Sequence, residues 1–183
     1  MTSRRDIEKR IINLPNAYPA YPDGLIDRLR YHVWRIITPL HRPARELLIY
    51  MRLLRNQGRQ NYLLGKLAPG ESIESFIEFL LDKGFGNHFV AFDDEGQVAS
   101  LRYAPDFKHQ YHVRVFEDGE VRGHFEYTPE AKPLLHMRAV GQEPRFEDFT
   151  KMFGSRLVPA GASNAKEFSW SLSFAGFKTG RKA

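Results

Sequence analysis

Over residues 110–128 (QYHVRVFEDGEVRGHFEYT), apolar and polar side chains alternate in two runs that meet at Glu117, Asp118 and Gly119. Period-two alternation marks a strand with two unlike faces. A three-residue loop that ends on a left-handed Gly joins such strands and fixes their register. With that loop, Val115 faces Val121, Arg114 faces Arg122, His112 faces His124 and Gln110 faces Glu126. One face of the predicted hairpin is then Tyr111, Val113, Val115, Val121, Gly123 and Phe125. The other is Gln110, His112, Arg114, Arg122, His124 and Glu126, with Phe116 near the turn. A two-residue loop would slip the pairing by one residue and mix the faces.

The same reading extends along the chain. Residues 88–92 and 97–103 predict a second hairpin around Gly96, with apolar residues on both faces and so a place nearer the sheet centre. Residues 60–67 predict a short strand. The spacing of Ile73, Phe76, Ile77, Leu80 and Leu81 predicts a helix over 72–83, with Ser72 as cap and Gly84 as stop. Residues 24–37 and 44–56 predict two helices with broad apolar faces and Arg at their margins, separated by a break at Pro39 and Pro43. Short helices are expected near 133–140 and 145–153, and a loop over 154–166. At 168–174, Phe168, Trp170, Leu172 and Phe174 alternate with serine, which predicts a strand that must pair. Residues 1–14 suit a short basic helix, and 15–23 (PNAYPAYPD) an extended linker.

Four strands in succession with short turns predict an antiparallel meander. The expected fold is therefore α+β: an antiparallel sheet of four to six strands covered by helices, with a basic helical N-terminal region. The expected organisation is a basic helical arm at 1–58, a sheet domain at 59–153, and a C-terminal strand and tail at 154–183.

Charge changes the picture more than composition does. Residues 1–66 carry 13 Lys+Arg against 5 Asp+Glu, residues 67–150 carry 8 against 16, and residues 151–183 carry 6 against 1. A basic arm and tail flank an acidic body. Such extensions are drawn to nucleic acid, to anionic lipid or to the chain's own acidic part. Cysteine is absent, which removes disulfides, thiolate metal sites and cysteine nucleophiles and suits a reducing cytoplasm. No run is long and apolar enough to span a bilayer.

Candidate chemistry gathers on the hairpin's polar face. Like charges directly opposite each other weaken a ladder, so Arg114 against Arg122 and His112 against His124 imply a purpose beyond folding. The first functional reading is non-enzymatic association with nucleic acid. It uses Arg114, Arg122, His112, His124 and Gln110, with Arg28, Arg30 and Arg35 of the arm supplying phosphate contacts. The second is an enzyme or a ligand- or metal-binding protein centred on histidine, in which His112, His124 and Glu126 hold a divalent ion. Two neighbouring arginines weigh against the ion electrostatically. The third is membrane-surface or oligomeric assembly, through the helices at 24–56 or the strand at 168–174. No nucleophile, phosphate-loop or cofactor motif is present, so no catalytic residue is nominated, the reading leans away from an enzyme, and no cofactor is expected.

Overall fold

The computed structural model of the chain describes residues 16–51, 62–87, 96–137 and 140–160. The helix expected at 1–14, the strand at 88–92, the end of the helix expected at 44–56 and the strand at 168–174 lie outside them.

The described residues form four α-helices and a six-stranded antiparallel sheet. In chain order they are α1 (Leu25–Tyr50), β1 (Tyr62–Leu67), α2 (Ile73–Asp82), β2 (Gly86–Asn87), β3 (Gln97–Tyr103), β4 (His109–Phe116), β5 (Glu120–Tyr127), α3 (Pro133–Met137), α4 (Phe146–Phe153) and β6 (Leu157–Pro159). The sheet order is β2-β3-β4-β5-β1-β6. Three strands of the expected meander are β3, β4 and β5; β2, just ahead of the strand expected at 88–92, pairs with β3, and β1 returns to lie beside β5.

The hairpin of β4 and β5 has the register its loop dictates. Val115 pairs with Val121, Arg114 with Arg122, His112 with His124 and Gln110 with Glu126. Gly119 has φ +79°, the left-handed conformation that only glycine adopts without strain. The odd-numbered face of β4 and β5 is the apolar core. Leu64, Leu101, Val113, Val115 and Val121 meet Phe76, Ile77 and Leu80 of α2 and Phe149 and Phe153 of α4. The Ser72 hydroxyl caps α2 by accepting from the Ser75 amide at 3.1 Å. Tyr111 fastens α4 to this face by donating its hydroxyl to Asp148 at 2.9 Å. Burial, and next the bond to Asp148, holds its phenol above the ordinary value.

Two elements differ from expectation. Residues 25–50 form one helix, which runs through Pro39 and Pro43 without a break. Each proline removes a single amide donor, and the two lie four residues apart on one side. Leu25, Leu29, Ile36, Leu40 and Leu47 keep their helical spacing on both sides of the prolines, so one continuous stripe survives. The second difference is β6, three residues of the expected loop that pair with β1.

Gly123 marks a tight point of the core. A methyl group there would lie 2.5 Å from the His112 carbonyl oxygen and 2.9 Å from a Leu64 methyl. A backbone carbonyl within a paired strand cannot move aside. Gly123→Ala is expected to lower stability by about 1–3 kcal/mol, as overpacking does, read as a lower urea midpoint at unchanged m-value.

Asp106 sets the start of β4 by accepting the amides of Lys108 at 2.6 Å and His109 at 2.8 Å. Burial pushes its carboxyl upward, yet the His109 side chain and these two amides outweigh that, and its pKa lies below the ordinary value. A lowered carboxylate stabilises the fold above its unfolded pKa and loses that contribution as pH falls through the folded one. Asp106→Asn is therefore expected to flatten part of the acid limb of a stability-versus-pH curve, with little change well below the folded pKa.

Candidate functional site

The even-numbered face of the sheet is polar, as the hairpin pattern requires, but it is not solvated. Ser100, Arg102, Gln110, His112, Arg114, His124 and Glu126 are all buried, and Arg114, His112, His124 and Gln110 are 0% exposed. Glu130, His136 and Thr128 are buried with them. Charged side chains are rarely this deep unless paired.

Arg102 and Glu130 form a two-pronged ion pair. The two guanidinium NH2 groups donate to the two carboxylate oxygens at 2.8 and 3.2 Å. Arg102 also donates through Nε to the Ala17 carbonyl at 2.7 Å and through Nη1 to Gln110 at 3.2 Å. Gln110 passes the chain of bonds on by donating to Glu126 Oε1 at 2.9 Å. Gln142 donates to Glu126 Oε2 at 2.8 Å. Two histidines face the same carboxylate: His124 Nε2 at 3.2 Å and His136 Nδ1 at 3.4 Å. His136 Nδ1 also lies 2.9 Å from the Tyr127 carbonyl, which fixes its ring.

His112 is held from the other side. Its Nε2 lies 2.8 Å from the Ser100 hydroxyl, and its ring meets that of His124 edge-on at 5.0 Å between centroids. A Ser–His contact of this length suits proton exchange between the two. His112, His124 and Glu126 each offer a ligand atom within 4.8 Å of the others, and they are the one His/carboxylate trio gathered this closely among the described residues.

The structure thus brings together Gln110, His112, Arg114, His124 and Glu126 and leaves the other nominated residues apart. Arg122 stands at the margin of the face. It donates to Glu120 at 2.6 Å and lies over the Phe116 ring at 4.3 Å. Arg28, Arg30 and Arg35 are engaged around α1: Arg28 with the Pro22 carbonyl, Arg30 with Asp27, and Arg35 over the Tyr18 ring.

Five members of the cluster were not nominated from sequence: Ser100, Arg102, Glu130, His136 and Gln142. The first two had a signal. They are alternating polar positions of β3, and the β3–β4 register sets Ser100 against Arg114 and Arg102 against His112. Glu130 and Gln142 come from irregular segments after β5, where no period marks them, and His136 comes from the short helix α3, whose spacing does not say which neighbour it faces.

A second feature lies on α1. Tyr31 is the residue of α1 that packs into a small core with Phe107, Ala131 and Tyr18. Leu29 and Val33 lie two residues to either side of it and are therefore turned about 160° away. Leu25, Ile26, Leu29, Val33, Ile36, Ile37, Leu40, Leu47 and Tyr50 are exposed, with Leu25 at 83% and Ile36 at 71%. The apolar stripe of α1 points away from the body.

Removing one partner of a buried ion pair leaves a lone charge in a low-dielectric setting. Arg102→Met is expected to cost about 3–5 kcal/mol, and Arg102→Met with Glu130→Gln to cost clearly less than Arg102→Met alone. Urea unfolding of the wild type, both single variants and the double variant checks this.

Compared with known protein families, with curated proteins and with solved structures, the chain finds no match.

Proposed function

We propose that the protein works at a membrane surface, with α1 lying in the interface of an anionic bilayer. The observation that carries this reading is the orientation of α1, which docks through Tyr31 and turns nine large apolar side chains to the outside. Among the described residues no helix is long and apolar enough to cross a membrane. A long helix with one apolar face and an Arg-rich remainder suits a bilayer interface, where it lies flat.

Charge favours lipid over a second copy of the chain. The sequence of α1 holds five Arg against one Asp and one Glu. Arg30 follows one border of the stripe and Arg28 and Arg35 the other. Pairing two such helices face to face would set like charges side by side, whereas anionic headgroups would neutralise them. The magnitudes divide the work. A fully buried aliphatic side chain contributes roughly 1.5–3 kcal/mol, and a basic residue near an anionic surface about 1 kcal/mol. The stripe therefore supplies most of the binding, and the arginines set the preference for anionic lipid.

Binding of nucleic acid remains the alternative proposal. It rests on the arm, because the side chains of Gln110, His112, Arg114 and His124 are withdrawn from the surface.

The test is co-sedimentation with phosphatidylcholine vesicles, with and without phosphatidylglycerol. Binding is expected to the anionic vesicles. Leu29→Glu or Ile36→Glu is expected to weaken it by about tenfold or more while changing stability by less than about 0.5 kcal/mol, since both side chains are exposed in the free protein. Absence of vesicle binding at low salt overturns the reading. A dimer dissolved by the same substitutions would assign the stripe to self-association. Salt-sensitive binding to RNA that survives Leu29→Glu would return the arm to nucleic acid.

A further inference from the structure

We infer that His112, His124 and Glu126 form a binding site for a divalent transition metal of borderline softness, such as Zn2+. Two imidazoles and a carboxylate are a donor set this class of ion takes. Their ligand atoms lie within 4.8 Å of one another. Around a tetrahedral ion with bonds near 2.1 Å such atoms stand about 3.4 Å apart. Closing the trio brings these atoms together by little more than about 1 Å.

The surroundings are those of metal ligands. A ligating carboxylate is characteristically fixed by hydrogen bonds, and a ligating histidine by a bond at its other nitrogen. Glu126 receives Gln110 on one oxygen and Gln142 on the other. His112 is held at Nε2 by Ser100, which directs the ion to Nδ1.

His124 Nε2 lies 3.2 Å from a Glu126 oxygen, so the two ligand groups already face each other across the position an ion would take. A metal ion bridging them would use the lone pair of Nε2, with the proton on Nδ1.

The charge objection is halved by the geometry. Of the two arginines beside the histidines, Arg122 is engaged by Glu120 at the margin. The Arg102 charge is met by Glu130. Arg114 pairs across the hairpin with Arg122, one step along the same face from His112 and His124.

The experiment refolds the full chain from urea with and without Zn2+ and, separately, Co2+, then removes loosely held ion by gel filtration. One ion per chain is expected, with a raised thermal midpoint, and the Co2+ form is expected to absorb in the visible as a low-coordinate nitrogen and oxygen site. His124→Gln and Glu126→Gln are expected to lose the ion, and His109→Gln, at an outlying position, to keep it. Because the variants touch a buried network, the wild type carries a second readout. In two-bond nitrogen–proton spectra of the imidazoles, Zn2+ is expected to shift His112 and His124. Failure to retain metal, or shifts confined to His32, His41 and His109, overturns the inference. Neither readout involves lipid, so the site and the proposed membrane function stand or fall separately.

Discussion

Arg102 stands where three parts of the chain meet. From near the end of β3 it bonds the Ala17 carbonyl ahead of α1, Gln110 at the start of β4, and Glu130 in the turn after β5. The guanidinium is 3% exposed and so is the carboxylate it faces. A charge taken out of water costs several kcal/mol after relaxation, and its pair repays that only when the geometry is good and the remaining donors are satisfied. Here the fork is two-pronged, and Nε and Nη1 have further partners. Replacing such a pair with apolar side chains is often neutral for stability. The pair therefore acts chiefly on position, requiring the N-terminal segment, the sheet and the turn to take one arrangement.

That requirement spreads through Gln110 to Glu126 and from there to His124, His136 and Gln142, with the His112 ring packed edge-on against His124. A row that would be an ordinary solvated face on a hairpin becomes the interior of the molecule. The sheet consequently has two cores of different kinds. On one side α2 and α4 bury aliphatic and aromatic groups by close packing, tight enough that Gly123 has no room for a methyl group. On the other side the side chains are specified by direction, since each donor needs its acceptor.

Much of this was legible from residues close in sequence. The loop Glu117-Asp118-Gly119 gave the register of β4 and β5, and the register placed His112 against His124 and both beside Glu126. The helix at 72–83 was legible from its spacing and its cap. What covers the polar row was not legible, because the contacts come from Ala17, Glu130, His136 and Gln142, far along the chain or in segments without a period. Alternation tells polar from apolar faces; it does not say whether a polar face meets water. The continuity of α1 through Pro39 and Pro43 was hidden by a local rule, that proline interrupts a helix, which the unbroken apolar stripe overrides. The three residues of β6 carry too short a pattern to read.

The buried cluster and the outward helix are joined through one turn. Thr128 donates its hydroxyl to the Phe107 carbonyl at 2.6 Å and accepts the Ala131 amide at 3.2 Å, so residues 128–131 are held as a unit. Within that unit Glu130 faces Arg102, while its neighbour Ala131 lies against Tyr31 of α1. The segment ahead of α1 is tied to the same centre through Ala17, and Tyr18 joins the small core on which Tyr31 rests. The direction of the apolar stripe is thus set by the ion pair that organises the polar face. A change that loosens Arg102 from Glu130 would free both anchors of α1 together, whereas a change on the stripe itself would leave the cluster intact. The dependence runs one way, from the buried charges outward to the surface helix.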